Sequence, residues 1–201
     1  MKKIYLSLSL LFAVHFSYCQ EKTTLFFKDG TSKTGMYKIR KKTFTNDSSN
    51  LVILNNETDE KYTLENLTDV IILKDTLKSY YEVIDVKKNF DDKKTERKLG
   101  FLAYSSPKVN MYYIAETINS GGAIGVFMMS HGYQETYIKK SKDSIAYNMG
   151  YIYGAGERGI KKRVRDYFYD CPKLVELVNN DNIDKHNTFQ IVKYYEENCA
   201  E

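Results

Sequence analysis

The pair Cys171 and Cys199 constrains this fold more than any other feature, because each cysteine ends or opens an apolar helical pattern. Ile160, Val164, Tyr167 and Phe168 fall at i, i+4, i+7 and i+8, one face of a helix. Pro172 suits the first turn of a second helix, where its missing N–H costs nothing, with Cys171 or Asp170 at the cap. Leu174, Leu177 and Val178 continue an apolar face, and the polar stretch NNDNID then breaks the chain. Asp184 can cap a last helix whose face is Ile191, Val192, Tyr195 and Cys199. An antiparallel helix pair therefore brings Cys171 and Cys199 together. A bridge across the 27 intervening residues is worth roughly 3–4 kcal/mol through chain entropy. The alternative is two buried free thiols. A metal pair lacks support, since neither His131 nor His186 has ligand spacing to a cysteine.

A bridge requires an oxidising compartment, and the amino terminus points to one. MKKIYLSLSLLFAVHFSYCQ has a short positive start, Lys2 and Lys3, and then an apolar stretch from Ile4 to Phe16. That stretch falls short of the roughly 20 residues that span a bilayer. Ser17 and Cys19 place small residues at −3 and −1, so residues 1–19 read as a signal peptide cleaved before Gln20. The rival readings are an outer-membrane lipoprotein acylated at Cys19, for which Tyr18 is bulky, and a retained anchor. The expected location is periplasmic or secreted. Cleavage leaves 28 basic and 26 acidic residues, a balance that makes no case for nucleic acid.

Between signal and helices the chain reads as strands. TTLFF and TGMYKI flank KDGTS, where Asp29-Gly30 is a hairpin signal. LVILN, DVIIL and YYEVIDV follow, and NFDDKKTERK, with seven charges in ten residues, reads as a solvated loop. GFLAYSS, NMYYIAETI, AIGVFMMS, ETYIKK and SIAYNMGYIY are further strands. Turn signals every 8–12 residues favour antiparallel sheet. The expected class is α+β: an antiparallel β-rich roll, or two small sheets, followed by a C-terminal helical hairpin. The expected division is an N-terminal β segment at 20–88, the charged loop at 89–98, a central β-hairpin segment at 99–153 and helices at 154–201.

Catalytic patterns are absent from the sequence. There is no GxSxG, HExxH or Walker loop. His131, in MSHGYQ, reads as an exposed histidine at a hairpin end, although Ser130 or Asp143 could meet it in space. SGGAIG, at 120–125, opens no helix and reads as a hairpin tip rather than a phosphate loop. No catalytic residue, metal ligand or cofactor-binding residue is assigned. Arg158, Lys161, Lys162, Arg163 and Arg165 form a basic stripe that could meet anionic headgroups or acidic polysaccharide, or simply be a solvated helix face. Sixteen tyrosines follow the signal, three times as adjacent pairs. In a strand such pairs point to opposite faces, so only one of each belongs to the core. The expected function is a non-catalytic envelope or secreted module binding a protein or surface polymer. The alternative is a small exported hydrolase using His131.

RVRDYFYDCPKLVELVNN followed by FQIVKYYEENC resembles the ending of a Bacteroidetes family of exported proteins of unknown function. The matching positions are Asp170, Cys171, Pro172, Leu174, Tyr195 and Cys199. NMYYIAETINSGGAIG with ETYIKK resembles that family's central hairpin, and LFFKDGTSKTGMYKI and YTLENLTDVII resemble its N-terminal strands. The resemblance implies export and a fold; it brings no activity and no catalytic residue.

Overall fold

The computed structural model describes residues 22–41, 51–55, 58, 60–74, 77–120, 129–149 and 159–199. Their alternating strands build one eight-stranded sheet and one three-stranded sheet, and three helices follow, an α+β architecture. β1 (Lys22–Phe27) and β2 (Ser32–Gly35) form the expected hairpin. At its turn Gly30 takes φ 83°, the left-handed region glycine enters without strain, and Asp29 Oδ1 accepts from the Thr31 N–H at 2.9 Å. The expected strand TGMYKI divides at Met36: β2 stays in the large sheet, while β3 (Tyr37–Lys41) joins β4 (Leu51–Asn55) and β5 (Lys61–Thr63) in the small one. Gly35 permits the change of sheet, because the Tyr37 ring lies 3.2 Å from where a Cβ would stand.

After a single 3-10 turn at Leu64–Asn66, β6 (Leu67–Lys74) and β7 (Leu77–Lys87) continue the large sheet. β8 (Glu96–Ser105), β9 (Val109–Ser120), β10 (Met129–Lys140) and β11 (Ile145–Asn148) extend it. β11 then pairs in parallel with the end of β7, Ile145 opposite Asp85 and Tyr147 opposite Lys87. On that edge β7 has already paired with β6 through Leu77–Glu82, while its other edge carries β8. β7 through β11 thus close into a five-stranded barrel, with β6, β1 and β2 as a wing. Side chains paired across strands share a face. Ile84, Val86, Leu102, Tyr112, Ile114, Tyr137 and Ala146 therefore fill the barrel. Gly100 lies on that lining, and a Cβ there would come within 3.1 Å of both Ile84 and Tyr112. The three-stranded sheet covers one face of the wing through Leu25, Ile53, Leu67 and Val70.

Two expectations shift. β8 begins at Glu96, so the charged stretch leaves its loop three residues early, and Lys98 pairs with Ile84 inside the barrel. β10 runs unbroken from Met129, so His131 lies within a strand, opposite Ile118 of β9, and not in a turn. The expected strand AIGVFMMS falls mostly outside the described residues, as do the hairpin tip and residues 1–19.

The outward face of β9 and β10 carries Val109, Met111 and Ile138, and the helices bury it. α1 (Ile160–Tyr167) contributes Ile160 and Val164, α2 (Pro172–Asn179) Leu174 and Val178, and α3 (Thr188–Asn198) Ile191, Val192 and Tyr195. Pro172 opens α2 with Cys171 as its cap. α2 ends where Asp181 takes φ 57° and Leu177 O accepts from the N–H groups of Asn182 and Ile183. The cap of α3 is Asn187, whose side chain accepts from the Gln190 N–H at 3.0 Å. Asp184 instead braces the preceding turn by accepting from the His186 N–H.

Cys171 and Cys199 are bonded, with Cα atoms 5.4 Å apart. The bridge joins the start of α2 to the end of α3 across a sequence separation of 28. Helices this short hold only through packing. Cys199→Ser is expected to cost about 2–4 kcal/mol of stability and to loosen α3 before the strands. Thermal melts with and without reductant, alongside hydrogen exchange over residues 188–198, check both parts; an unchanged melt would contradict them.

Candidate functional site

Lys140 ends the outward row of β10, two residues beyond Ile138, so strand periodicity drives a cation into the layer that the helices cover. Its side chain is 4% exposed. Nζ donates to Asp170 Oδ1 at 2.7 Å, to Oδ2 at 2.9 Å and to the Tyr167 carbonyl at 2.7 Å. Four rings surround the ammonium: Tyr167, Tyr195, Phe168 and Tyr169, with centroids at 4.8, 5.0, 5.3 and 5.5 Å. Each presents a negative face to the cation. The Tyr195 hydroxyl donates to Asp170 Oδ2 at 2.8 Å. The Tyr167 hydroxyl accepts from the Lys140 N–H and donates to Asp143 Oδ2, both at 2.8 Å. The result is an internal aromatic cage whose occupant is a lysine of the same chain.

The electrostatics follow from that enclosure. Burial pushes the Lys140 ammonium below the ordinary lysine value, a cost the Asp170 hydrogen bonds and charge only partly offset. Burial also raises the Asp170 carboxyl, but hydrogen bonds from Lys140 and Tyr195 and the charges of Lys140 and Lys142 outweigh it and hold that carboxyl below its usual value. Burial first, then Asp170, raises Tyr195, and burial likewise raises Tyr167. Neither phenol is poised to lose a proton near neutrality.

Two cavities flank the pair, and both have Lys140 and Lys142 in their walls. One, of about 340 Å³, lies against Lys108, Ser141, Tyr195 and the Cys199 end of the bridge. The other, of about 200 Å³, lies among Phe90, Asp143, Tyr147, Asp166 and Tyr169. Phe90 stacks on Tyr147 at 4.8 Å, and the Tyr169 residue is 72% exposed. Elsewhere an open groove of about 830 Å³ runs along the charged loop from Asp92 to Arg97. A shallow trough of about 190 Å³ lies on the wing among Phe26, Ile71, Tyr80 and Leu102.

The barrel interior holds a second polar group. Lys98, Glu135 and Asn148 are buried there, by register beside Ile84, Ile114 and Tyr137. Glu135 accepts from the Tyr137 hydroxyl at 2.7 Å and has Lys88 at 3.7 Å. Lys98 pairs with Glu96 at 3.1 Å. Arg163 reaches from α1 to Asn148 and Asn89 and so ties helix to barrel.

The described residues of the basic stripe have different partners. Lys161 bonds the Asn179 carbonyl and Asp181, Lys162 and Arg165 share Asp166, and Arg163 turns inward; Arg158 lies outside the described residues. The side chain of His131 also lies outside them, so its partners are not part of this geometry. Among the described residues no group of three or more His, Cys, Asp or Glu side chains is placed to hold a metal. The sequence reading missed Lys140, Glu135 and Lys98. The signal was period two: Lys140 shares its strand face with Ile138, and Glu135 shares its face with Tyr137.

Asp170 titrates below its unfolded value of about 3.9, so its contribution to stability is present above that pH and is lost as pH falls through the folded value. Asp170→Asn is therefore expected to be less stable than the parent at pH 7 and to lose less on acidification from pH 5 to pH 2. Urea melts of both proteins across that range read the difference; parallel curves would contradict the assignment.

Comparison of the chain with protein-family models, with curated proteins and with solved structures finds no match.

Proposed function

We propose that this chain is an exported, non-catalytic envelope or secreted module that binds a protein or surface polymer, as its resemblance to an exported family suggests. The supporting observation is how its interior acids, bases and hydroxyls are disposed. Among the described residues, Lys140 is taken by Asp170, Tyr195 by Asp170, Tyr167 by Asp143 and Tyr137 by Glu135. The first three of these pairs join elements of the fold, and each acid, base or hydroxyl in them is held by a partner from another part of the fold. The disulfide points to an oxidising compartment, and no helix among the described residues is long and apolar enough to cross a membrane. Export through the 1–19 leader accounts for both the compartment and the bridge.

The binding surface in this reading is the rim of the Lys140 cluster. Both flanking cavities open there, and Lys142 and Tyr169 stand exposed. An exposed tyrosine beside a charged side chain offers apolar area and hydrogen bonding together, the composition favoured at recognition surfaces. Mature chain immobilised and exposed to its own solubilised envelope is expected to retain a specific component. That component should be lost with Lys142→Gln, which removes only the largely exposed 3.5 Å contact to Asp170 and should leave the melt close to the parent's. Turnover of ester or glycoside substrates that Cys199→Ser preserves and His131→Ala abolishes would overturn the reading in favour of a hydrolase.

A further inference from the structure

We infer that the cleft between Tyr169 and the Phe90–Tyr147 stack holds one ring of a neutral glycan, an inference that rests on the binding reading above. Tyr169 is held firmly and yet left bare. Phe168 on one side is fully buried, and Asp170 on the other is fixed by two hydrogen bonds from Lys140. The backbone between them has little freedom, so the exposed ring is presented without a large ordering cost on binding. Lys140 lies 5.5 Å from its centroid and orients it further.

The cleft offers what a pyranose requires. Such a ring has a flat face of C–H groups and a rim of hydroxyls that both donate and accept. Tyr169 supplies a bare aromatic face, and Phe90 and Tyr147 supply a half-buried one. Asp143 and Asp166 provide acceptors and Lys142 a donor. Its cavity, about 200 Å³, suits a single ring rather than a helix or strand. Charge selects among polymers: the wall carries two lysines, Lys140 and Lys142, and two aspartates, Asp143 and Asp166. Behind them Asp170 sits on Lys140, while Lys162 and Arg165 pair with Asp166. Charges of both signs are interleaved, so no strong single-sign field favours a sulfated or uronic chain or a basic peptide.

The test is affinity electrophoresis of the full chain without its leader through gels containing dextran, laminarin, xylan or galactomannan, with alginate and chondroitin sulfate as charged counterparts. At least one neutral polymer is expected to retard the parent, with affinity falling about tenfold or more in Tyr169→Ala. Tyr80→Ala, which removes an exposed ring where β7 pairs with β6, is expected to leave retardation intact and to melt with the parent. Tyr169→Ala, which also takes one ring from the Lys140 cage, is expected to stay folded with a slightly lowered melt, and retardation is compared well below it. Retardation by charged polymers alone, or equal retardation of the parent and Tyr169→Ala, overturns the glycan assignment. Replacing Tyr169 with p-benzoylphenylalanine and irradiating intact envelopes separates the two levels. A cross-link to protein would sink the glycan assignment and leave the binding reading standing. Neither cross-link nor retardation would sink both.

Discussion

The arrangement of the C-terminal third depends on one ammonium group. Lys140 lies on the outward face of β10, where the strand meets α1, the α1–α2 connection and α3, and it is almost wholly buried. Removing such a charge from water costs several kcal/mol unless its donors and its field are met. Here three acceptor atoms and four aromatic rings meet them. Those partners come from the end of α1, the α1–α2 connection and α3. The helices therefore dock where the cation is satisfied, and apolar packing alone would leave their registration looser. The disulfide stands beside this point: Cys171 follows Asp170 directly, and Cys199 lies one turn beyond Tyr195.

Barrel closure explains why the lysine can be held so firmly. β7 exchanges β6 for β11 along one edge, which ties the last strand back to the middle of the sheet. β10 is then bracketed by β9 and β11, and the end carrying Lys140 has a fixed position relative to the helices. Arg163 reinforces the joint from the helical side. The cavities beside Lys140 inherit this rigidity.

Much of the fold could be read from the residues. The Asp29-Gly30 turn and the opening of α2 at Pro172 follow from local chemistry, which needs no knowledge of the distant chain, and the bridge follows from the helical patterns around its two cysteines. The tyrosine pairs alternate as expected, with Tyr80 exposed and Tyr81 packed on the wing core, but both faces of β9 are covered, so Tyr112 fills the barrel and Tyr113 also packs against the helical core. The parallel β11–β7 pairing was not legible, because it joins segments about sixty positions apart and leaves no local mark. The split at Met36 was hidden for a related reason, since both halves read as strand and only their partners differ. The Lys140 cage was partly legible. Asp170, Tyr195 and Cys199 lay in the quoted motif, but the cation they surround comes from a strand thirty positions earlier. A lysine on an apolar strand face is a signal that composition and charge counts do not carry.

Lys140 and Asp170, on this structure, act as one unit that registers helices on barrel. A double-mutant cycle tests it directly, with urea unfolding of the parent, Lys140→Met, Asp170→Asn and the combined variant at pH 7. Each single change leaves a buried group without its partner and is expected to cost about 3–5 kcal/mol. The combined variant should be clearly more stable than additivity allows, with a coupling of about 1.5 kcal/mol or more. Additive losses within about 0.5 kcal/mol would show two independent residues and would contradict the account.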